Sequence, residues 1–206
     1  MKNKKLKVYD MLNFKENNPI KLFGEWVTEM QLNKTNEPLP VSLATVDSLG
    51  RPSARMVLLK GYDSEGFVFY TNLKSLKGRH LMANPNAALC FYWEHFGRQV
   101  RVEGEVSLVE PSEADKYFRS RPRDSQVSAW SSRQSDTLDN YKTLEGIVKN
   151  YTKKFSGSEV CRPDFWSGFR LAPRNIEFWQ QMPSRLHQRL LFEATENGWD
   201  RKWLFP

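Results

Sequence analysis

Cysteine is nearly absent: Cys90 and Cys161 are the only two in 206 residues. That excludes a disulfide framework and a thiolate-built metal centre. Cys90 lies in an apolar run and reads as a buried thiol. Histidine is also scarce, with His80, His95 and His187 scattered, so no metal site is expected. No stretch of about 18 apolar residues occurs, so no transmembrane helix is expected. The opening MKNKKLKVYD is basic but lacks the apolar segment of a secretion signal, and the expected compartment is the cytoplasm. No G-x-G-x-x-G follows a strand, which argues against a Rossmann site. No Ser-His-Asp set or paired-carboxylate site is apparent either. Acidic residues are outnumbered, 24 to 31, giving a net charge of +7 and a pI near 9.4. Such a surplus suits an anionic partner: nucleic acid, acidic lipid or a phosphorylated small molecule. What is present, 39% hydrophobic and 13% aromatic residues, is enough to fold one domain with a real core, or two small ones.

The chain organises around residues 55–77, RMVLLKGYDSEGFVFYTNLKSLK. Met56 to Leu59 reads as a strand, Asp63 to Gly66 as a turn, and Phe67 to Tyr70 as the returning strand of a hairpin. Ser75 is placed to cap a helix from Leu76 to Met82. Hydroxyls, free backbone N–H groups, Lys74 and Lys77 then converge where a phosphate would bind. An ordinary hairpin with solvated lysines is the plainer alternative. Residues 1–17 read as a mobile polar arm, and residues 18–206 as a single domain without repeat or linker. Asn18-Pro19 opens an amphipathic helix carrying Ile20, Phe23, Val27 and Met30. Strands follow at 41–46, 53–61 and 87–93, the last apolar on both faces. In 98–106, Val100, Val102 and Val106 share one face, while Gln99, Arg101, Glu103 and Glu105 share the other. Helices are expected after Pro111 and over 139–155, separated by a polar loop rich in Trp, Arg and Gln. Strands at 165–171 and 175–180 are split by Pro173, and another runs from Arg185 to Phe192. Trp199 to Trp203 reads as a short last strand. The pattern is mainly β with flanking helices (α+β), an antiparallel meander of a size to close as a barrel.

Two groups could hold anions. On a strand from Arg185, period two places Arg185, His187 and Arg189 on one face, where three cationic groups repel unless an anion sits among them. A solvated edge strand is the alternative. Arg121 and Arg123, stiffened by Pro122 and followed by Ser125, form the second, with Lys60 a further cation. Two anion sites suit a nucleotide cofactor and a phosphorylated substrate, with the cofactor carrying the chemistry.

LATVDSLGRPSARMVLLKG, GFVFYTN, FYW with RQVRVEG, YFRSRPRDSQ, AW with QS, and EFWQ followed by RLH resemble the pyridoxine/pyridoxamine 5′-phosphate oxidase family. The resemblance runs from about Pro38 to Arg189. It implies an FMN-binding split β-barrel, a homodimer with FMN at the subunit interface, and no nucleic-acid or membrane partner. The reaction implied is oxidation of pyridoxine or pyridoxamine 5′-phosphate to pyridoxal 5′-phosphate by O2, giving peroxide. It implies FMN contacts from Arg55, Met56, Val57, Leu58, Leu59, Lys60, Tyr70, Thr71, Lys77, Gln99, Gln134, Ser135, Trp179 and Arg189. Lys60, Tyr117, Arg121 and Ser125 would take the substrate phosphate. Arg185 and His187 would lie over the substrate ring as the catalytic pair.

The chain departs from the family pattern in places. Leu76 stands where Arg is usual, with Lys74 or Arg79 as candidate substitutes. Gln188 stands for Asp, Gln181 for Gly, and the end reads Trp-Leu-Phe-Pro. In the N-terminal segment only Tyr9 is a candidate to cover substrate. The rival readings are a phenazine-pathway oxidase, a non-catalytic binder of flavin or pyridoxal phosphate, and a basic barrel binding single-stranded nucleic acid.

Overall fold

The structure is a computed structural model and describes residues 16–32 and 39–206. Most of the expected arm, residues 1–15, lies outside that range, as does Tyr9. Nine strands among the described residues join in one antiparallel sheet: β1 (Leu39–Val46), β2 (Pro52–Leu59), β3 (Gly61–Asp63), β4 (Gly66–Asn72), β5 (Asn86–Trp93), β6 (Arg98–Leu108), β7 (Trp166–Gln180), β8 (Gln188–Thr195) and β9 (Gly198–Leu204). The order is β2-β1-β5-β6-β7-β4-β3, with β8 and β9 attached beyond β7. The sheet curls so that β2 also approaches β4, making a half-barrel. Helices α1 (Pro19–Leu32), α2 (Leu76–Ala83), α3 (Pro111–Ser120), α4 (Arg123–Ser131) and α5 (Tyr141–Lys154) flank it.

Helix α1 starts as its sequence dictates, with the Asn18 side chain accepting from the N–H groups of Ile20 and Lys21 at 2.9 and 3.2 Å. It buries Leu22, Phe23, Trp26 and Val27 in the barrel mouth. Phe23 meets Tyr62, Phe67 and Phe91 at centroid distances of 4.9, 5.1 and 5.0 Å. Each such side chain contributes roughly 1.5–3 kcal/mol by burial. The alternation in β6 holds, and its parity carries Arg98 inward beside Val100 and Val102. The buried Arg98 bridges Glu29 at 2.9 Å and stacks 4.5 Å from Trp26, tying α1 to the sheet.

Five expectations are corrected. Met56–Leu59 does not pair with Phe67–Tyr70: β2 lies on β1, and the hairpin partner of β4 is the short β3. At its turn Gly66 has φ +135, and a Cβ there would lie 2.0 Å from the Leu171 carbonyl oxygen. Strand β5 buries one face only, through Ala87, Leu89 and Phe91; Tyr92 is exposed. The polar loop after Pro122 contains a helix, α4, because Gln126, Val127 and Ser131 give it a buried side. Pro173 does not split β7; the ladder absorbs it in a register shift opposite Glu103 and Gly104. Finally, β8 starts only at Gln188. Ser184 and Arg185 form a turn with φ of 57 and 61, which removes the alternation of Arg185, His187 and Arg189.

Candidate active site

A cavity of about 580 Å³ opens between β2, β4, α2, α3 and α4. Of the residues singled out in the sequence, Met56, Val57, Leu58, Lys60, Tyr70, Thr71, Lys77, Tyr117, Arg121, Ser125 and Gln134 all line it. Asn72, Ser128 and Trp166 also line it and were not anticipated.

One corner of the cavity lies at the start of α2. Ser75 caps that helix, accepting from Gly78 N–H at 3.3 Å while its hydroxyl donates to Asn72 O at 2.7 Å. Gly78 permits the close approach, since a Cβ would fall 2.2 Å from the Leu73 carbonyl oxygen. The Leu76 N–H donates to Ser135 Oγ at 3.1 Å. The Lys77 ammonium donates to Gln134 Oε1 at 2.9 Å, Thr71 Oγ1 at 3.2 Å and Ser75 Oγ at 3.4 Å, all neutral oxygens. Burial, and then the charge of Arg55, push Lys77 down to about 8. A cation disfavoured by its surroundings, beside a second cation and a helix N-terminus, is chemistry that a phosphate relieves. Neither proposed substitute for the usual Arg joins this corner. Lys74 lies over the Phe165 ring at 5.3 Å, and Arg79 donates to the Lys74 carbonyl.

The other corner is built on Arg121 at the end of α3. Its guanidinium sits 4.8 Å from the Trp166 ring and 5.5 Å from Phe118, and its Nη1 is buried without a hydrogen-bond partner in the protein. Burial holds its pKa below the usual guanidinium value. The buried Gln126 amide fixes the turn by donating to the carbonyls of Phe118, Arg119 and Arg121, each at 3.1 Å. Tyr117 stacks on Tyr70 at 4.0 Å, and the Lys60 ammonium lies 6.0 Å from the Tyr117 ring. Tyr70 donates to Glu113 at 3.2 Å; burial, and then that carboxylate, raise its pKa. An orphaned buried guanidinium donor, flanked by Lys60 and Ser125, suits a second phosphate.

The remaining residues do not line the cavity, although Arg55 acts on Lys77 by its charge. Leu59 points into the core. Arg55 donates to Thr45 Oγ1, Ser53 Oγ and Leu43 O. Gln99, Trp179 and Arg189 stand side by side in register across β6, β7 and β8, with His187 against Trp179 at 4.6 Å. Met182 N–H donates to His187 Nδ1 at 3.1 Å, so neutral His187 carries its proton on Nε2. Arg189 is held bidentately by the buried Glu177 at 2.7 and 3.1 Å, which raises its pKa, and it donates to Phe205 O at 2.9 Å. Arg185 is exposed. Gln99, Trp179, Arg185, His187 and Arg189 are thus gathered at the other end of β7, away from the cavity lining. Along β7, Trp166 and Trp179 are thirteen residues apart, about 40 Å of strand at roughly 3.3 Å per residue.

Among the described residues no His, Cys, Asp and Glu cluster could hold a metal ion, and no helix is long and apolar enough to cross a membrane. Residues 28–154 match the family model described as pyridoxamine 5′-phosphate oxidase, and residues 166–206 match the pyridoxine 5′-phosphate oxidase C-terminal dimerisation region. A pyridoxine/pyridoxamine 5′-phosphate oxidase of Rhizobium meliloti is 50% identical over 190 residues, 91% of this chain and 92% of that one. One from a Chelativorans species is 48% identical over 91% of this chain and 90% of its own. Among solved structures, PhzG from Burkholderia lata in complex with tetrahydrophenazine-1-carboxylic acid aligns with a TM-score of 0.89 at 31% identity, covering 96% of this chain and 97% of that one. An FMN-binding protein of Nostoc punctiforme, related to pyridoxamine 5′-phosphate oxidase, shares the fold with a TM-score of 0.70 at 15% identity over 88% and 96% of the two chains.

Proposed function

The chain belongs to the pyridoxine/pyridoxamine 5′-phosphate oxidase family, and from that premise we propose that its two-cornered cavity holds FMN and a phosphorylated substrate together. The protein is an oxidoreductase of vitamin B6 metabolism. It converts pyridoxine or pyridoxamine 5′-phosphate to pyridoxal 5′-phosphate with O2 as acceptor; peroxide is the second product, and the amine also releases ammonia. Its cofactor is a flavin, and FMN is the form that the α2 corner suits. The observation that carries this reading is the pairing of the half-buried Lys77 ammonium at one corner with the buried Arg121 Nη1 at the other, two cationic groups bonded to no carboxylate.

In this reading Lys77, Arg55, Thr71, Gln134 and Ser135 hold the FMN phosphate, with Met56, Val57, Leu58 and Tyr70 beside the flavin. FMN, when bound, supplies the two-electron acceptor that O2 regenerates. Arg121, Lys60, Tyr117 and Ser125 hold the substrate phosphate and so fix the distance of the ring from that anchor. Gln99, Trp179, Arg185, His187 and Arg189 come from a second copy of the chain. The match of residues 166–206 to a dimerisation region supports a homodimer, and the length of β7 between the two groups supports their meeting across it. Arg185 then orients the substrate ring and stabilises charge developing on it, with His187 donating a hydrogen bond from Nε2. Residues 18–206 act as one domain, since β7 to β9 share the sheet with β1 to β6.

The test is an anaerobic mixture of the purified protein with pyridoxine 5′-phosphate. Bleaching of the flavin absorbance is expected. A flavin that stays yellow with this substrate, but bleaches with a reduced phenazine carboxylic acid, would overturn the assignment.

A further inference from the structure

We propose that Thr45 and His80 are positioning residues for the cofactor phosphate: together they hold the Arg55 guanidinium beside Lys77 and so set the preference for a phosphorylated flavin. The inference rests on the reading of the α2 corner given above and assigns it two further residues.

The Thr45 side chain is completely buried on β1. Its hydroxyl accepts from Arg55 Nη1 at 2.7 Å and lies 3.1 Å from His80 Nδ1. A hydroxyl has one proton to give and two lone pairs. Accepting from Arg55 leaves that proton for an acceptor, and neutral His80 with its proton on Nε2 supplies one. A single oxygen therefore joins three elements: β1 through Thr45, β2 through Arg55, and the last turn of α2 through His80. Lys77 sits in the first turn of that same helix. The distance between the two cations is thus set through Thr45 and His80.

Burying a hydroxyl in an apolar strand interior costs free energy unless it is bonded. Val41 and Leu43 occupy the equivalent inward positions on β1. Valine would fit the strand equally well at position 45 but would leave Arg55 without its shortest bond. The guanidinium's other acceptors are Ser53 Oγ at 2.8 Å and Leu43 O at 3.3 Å, both neutral. They orient Arg55 without neutralising it, so its charge remains available to an anion. Its charge also lowers the Lys77 pKa, so the two heads lie within electrostatic reach of each other.

The experiment titrates FMN and riboflavin separately into the full-length protein stripped of flavin, following flavin fluorescence. Wild type is expected to bind FMN at least about tenfold tighter than riboflavin, because only FMN has the phosphate. Thr45→Val should weaken FMN binding about tenfold, the scale of one lost bond to a charged group, and leave riboflavin within about twofold. Thr45→Ser should restore FMN affinity. His80→Leu should weaken FMN alone, by about threefold, and it carries the test by itself if Thr45→Val does not fold. Equal weakening of both flavins, or no change in either, would overturn the proposal and leave the pair a purely structural role. A wild-type protein indifferent to the phosphate would instead sink the assignment of the α2 corner, and the proposal with it.

Discussion

The cavity wall and the C-terminal corner are both rich in cations, yet they treat them in opposite ways. In the wall, Lys77 donates only to neutral oxygens and Arg121 Nη1 has no hydrogen-bond partner in the protein. In the corner, Arg189 is clamped by the buried Glu177, and His187 is fixed by a backbone N–H. The wall keeps its charge free for anions, whereas the corner spends much of its charge on holding shape. That division suits a site assembled from two copies, one surface binding phosphates and the other presented to it as a preformed edge.

The largest effect should come from mixing two crippled variants. Arg121→Met should lower kcat/KM for pyridoxine 5′-phosphate about a hundredfold to a thousandfold, as loss of a buried charge partner does. Arg185→Ala should lower it about tenfold to a thousandfold with FMN still bound. Unfolding and refolding the two together should restore about a quarter of wild-type activity, because each mixed dimer has one site with neither substitution. No recovery would place both residues in the same protomer's site and break the contrast.

Next is pH. Lys77 must be protonated to hold a phosphate, and its pKa in the flavin-free protein lies near 8. FMN affinity should therefore fall as pH rises above 8, by up to about tenfold per unit, and Lys77→Met should flatten that dependence. The sign for folding is opposite. A lysine whose folded pKa lies below its unfolded value near 10.5 destabilises the flavin-free fold most below pH 8, and that penalty fades towards pH 10.5. A flavin titration repeated across pH 7 to 10 checks the first, and denaturant melts of the stripped protein check the second.

Smaller still, Glu177→Gln removes the charge that clamps Arg189 and should raise the FMN dissociation constant about threefold to tenfold, read by fluorescence. The smallest is a gain. Leu76→Arg adds a cation next to Lys77, opposed by the positive end of α2, and should tighten FMN by no more than about fivefold.

Much of the wall was legible because it is local. Ser75 ahead of a helix, Arg121-Pro122 and the strand around Met56 each declare themselves within a few residues, whereas Arg123, expected to share an anion with Arg121, turns away to the Phe155 and Ser158 carbonyls. The sheet topology was less so: β2 and β4 look like a hairpin in sequence, but a strand's partner depends on contacts far along the chain. The period of two fails for the Arg185–Arg189 face because it starts at Arg185, whose backbone turns left-handed with Ser184, while the strand begins only at Gln188. Arg98 could have been found, since it has the parity of Val100 and Val102. Gln126 gave no such signal; its role is to satisfy three carbonyls of a turn that only the folded chain makes.

Strand β7 links the two regions as one unbroken fifteen-residue element. Beyond the register shift opposite Glu103 and Gly104 its side chains alternate, with Ile176 and Phe178 inward, so a single residue inserted after Ile176 would reverse every side chain beyond it. Trp179 would swing into the hydrophobic interior and Gln180 out to the surface, while Trp166 kept its place. One codon there would scramble the edge proposed to face the partner and leave the cavity wall intact.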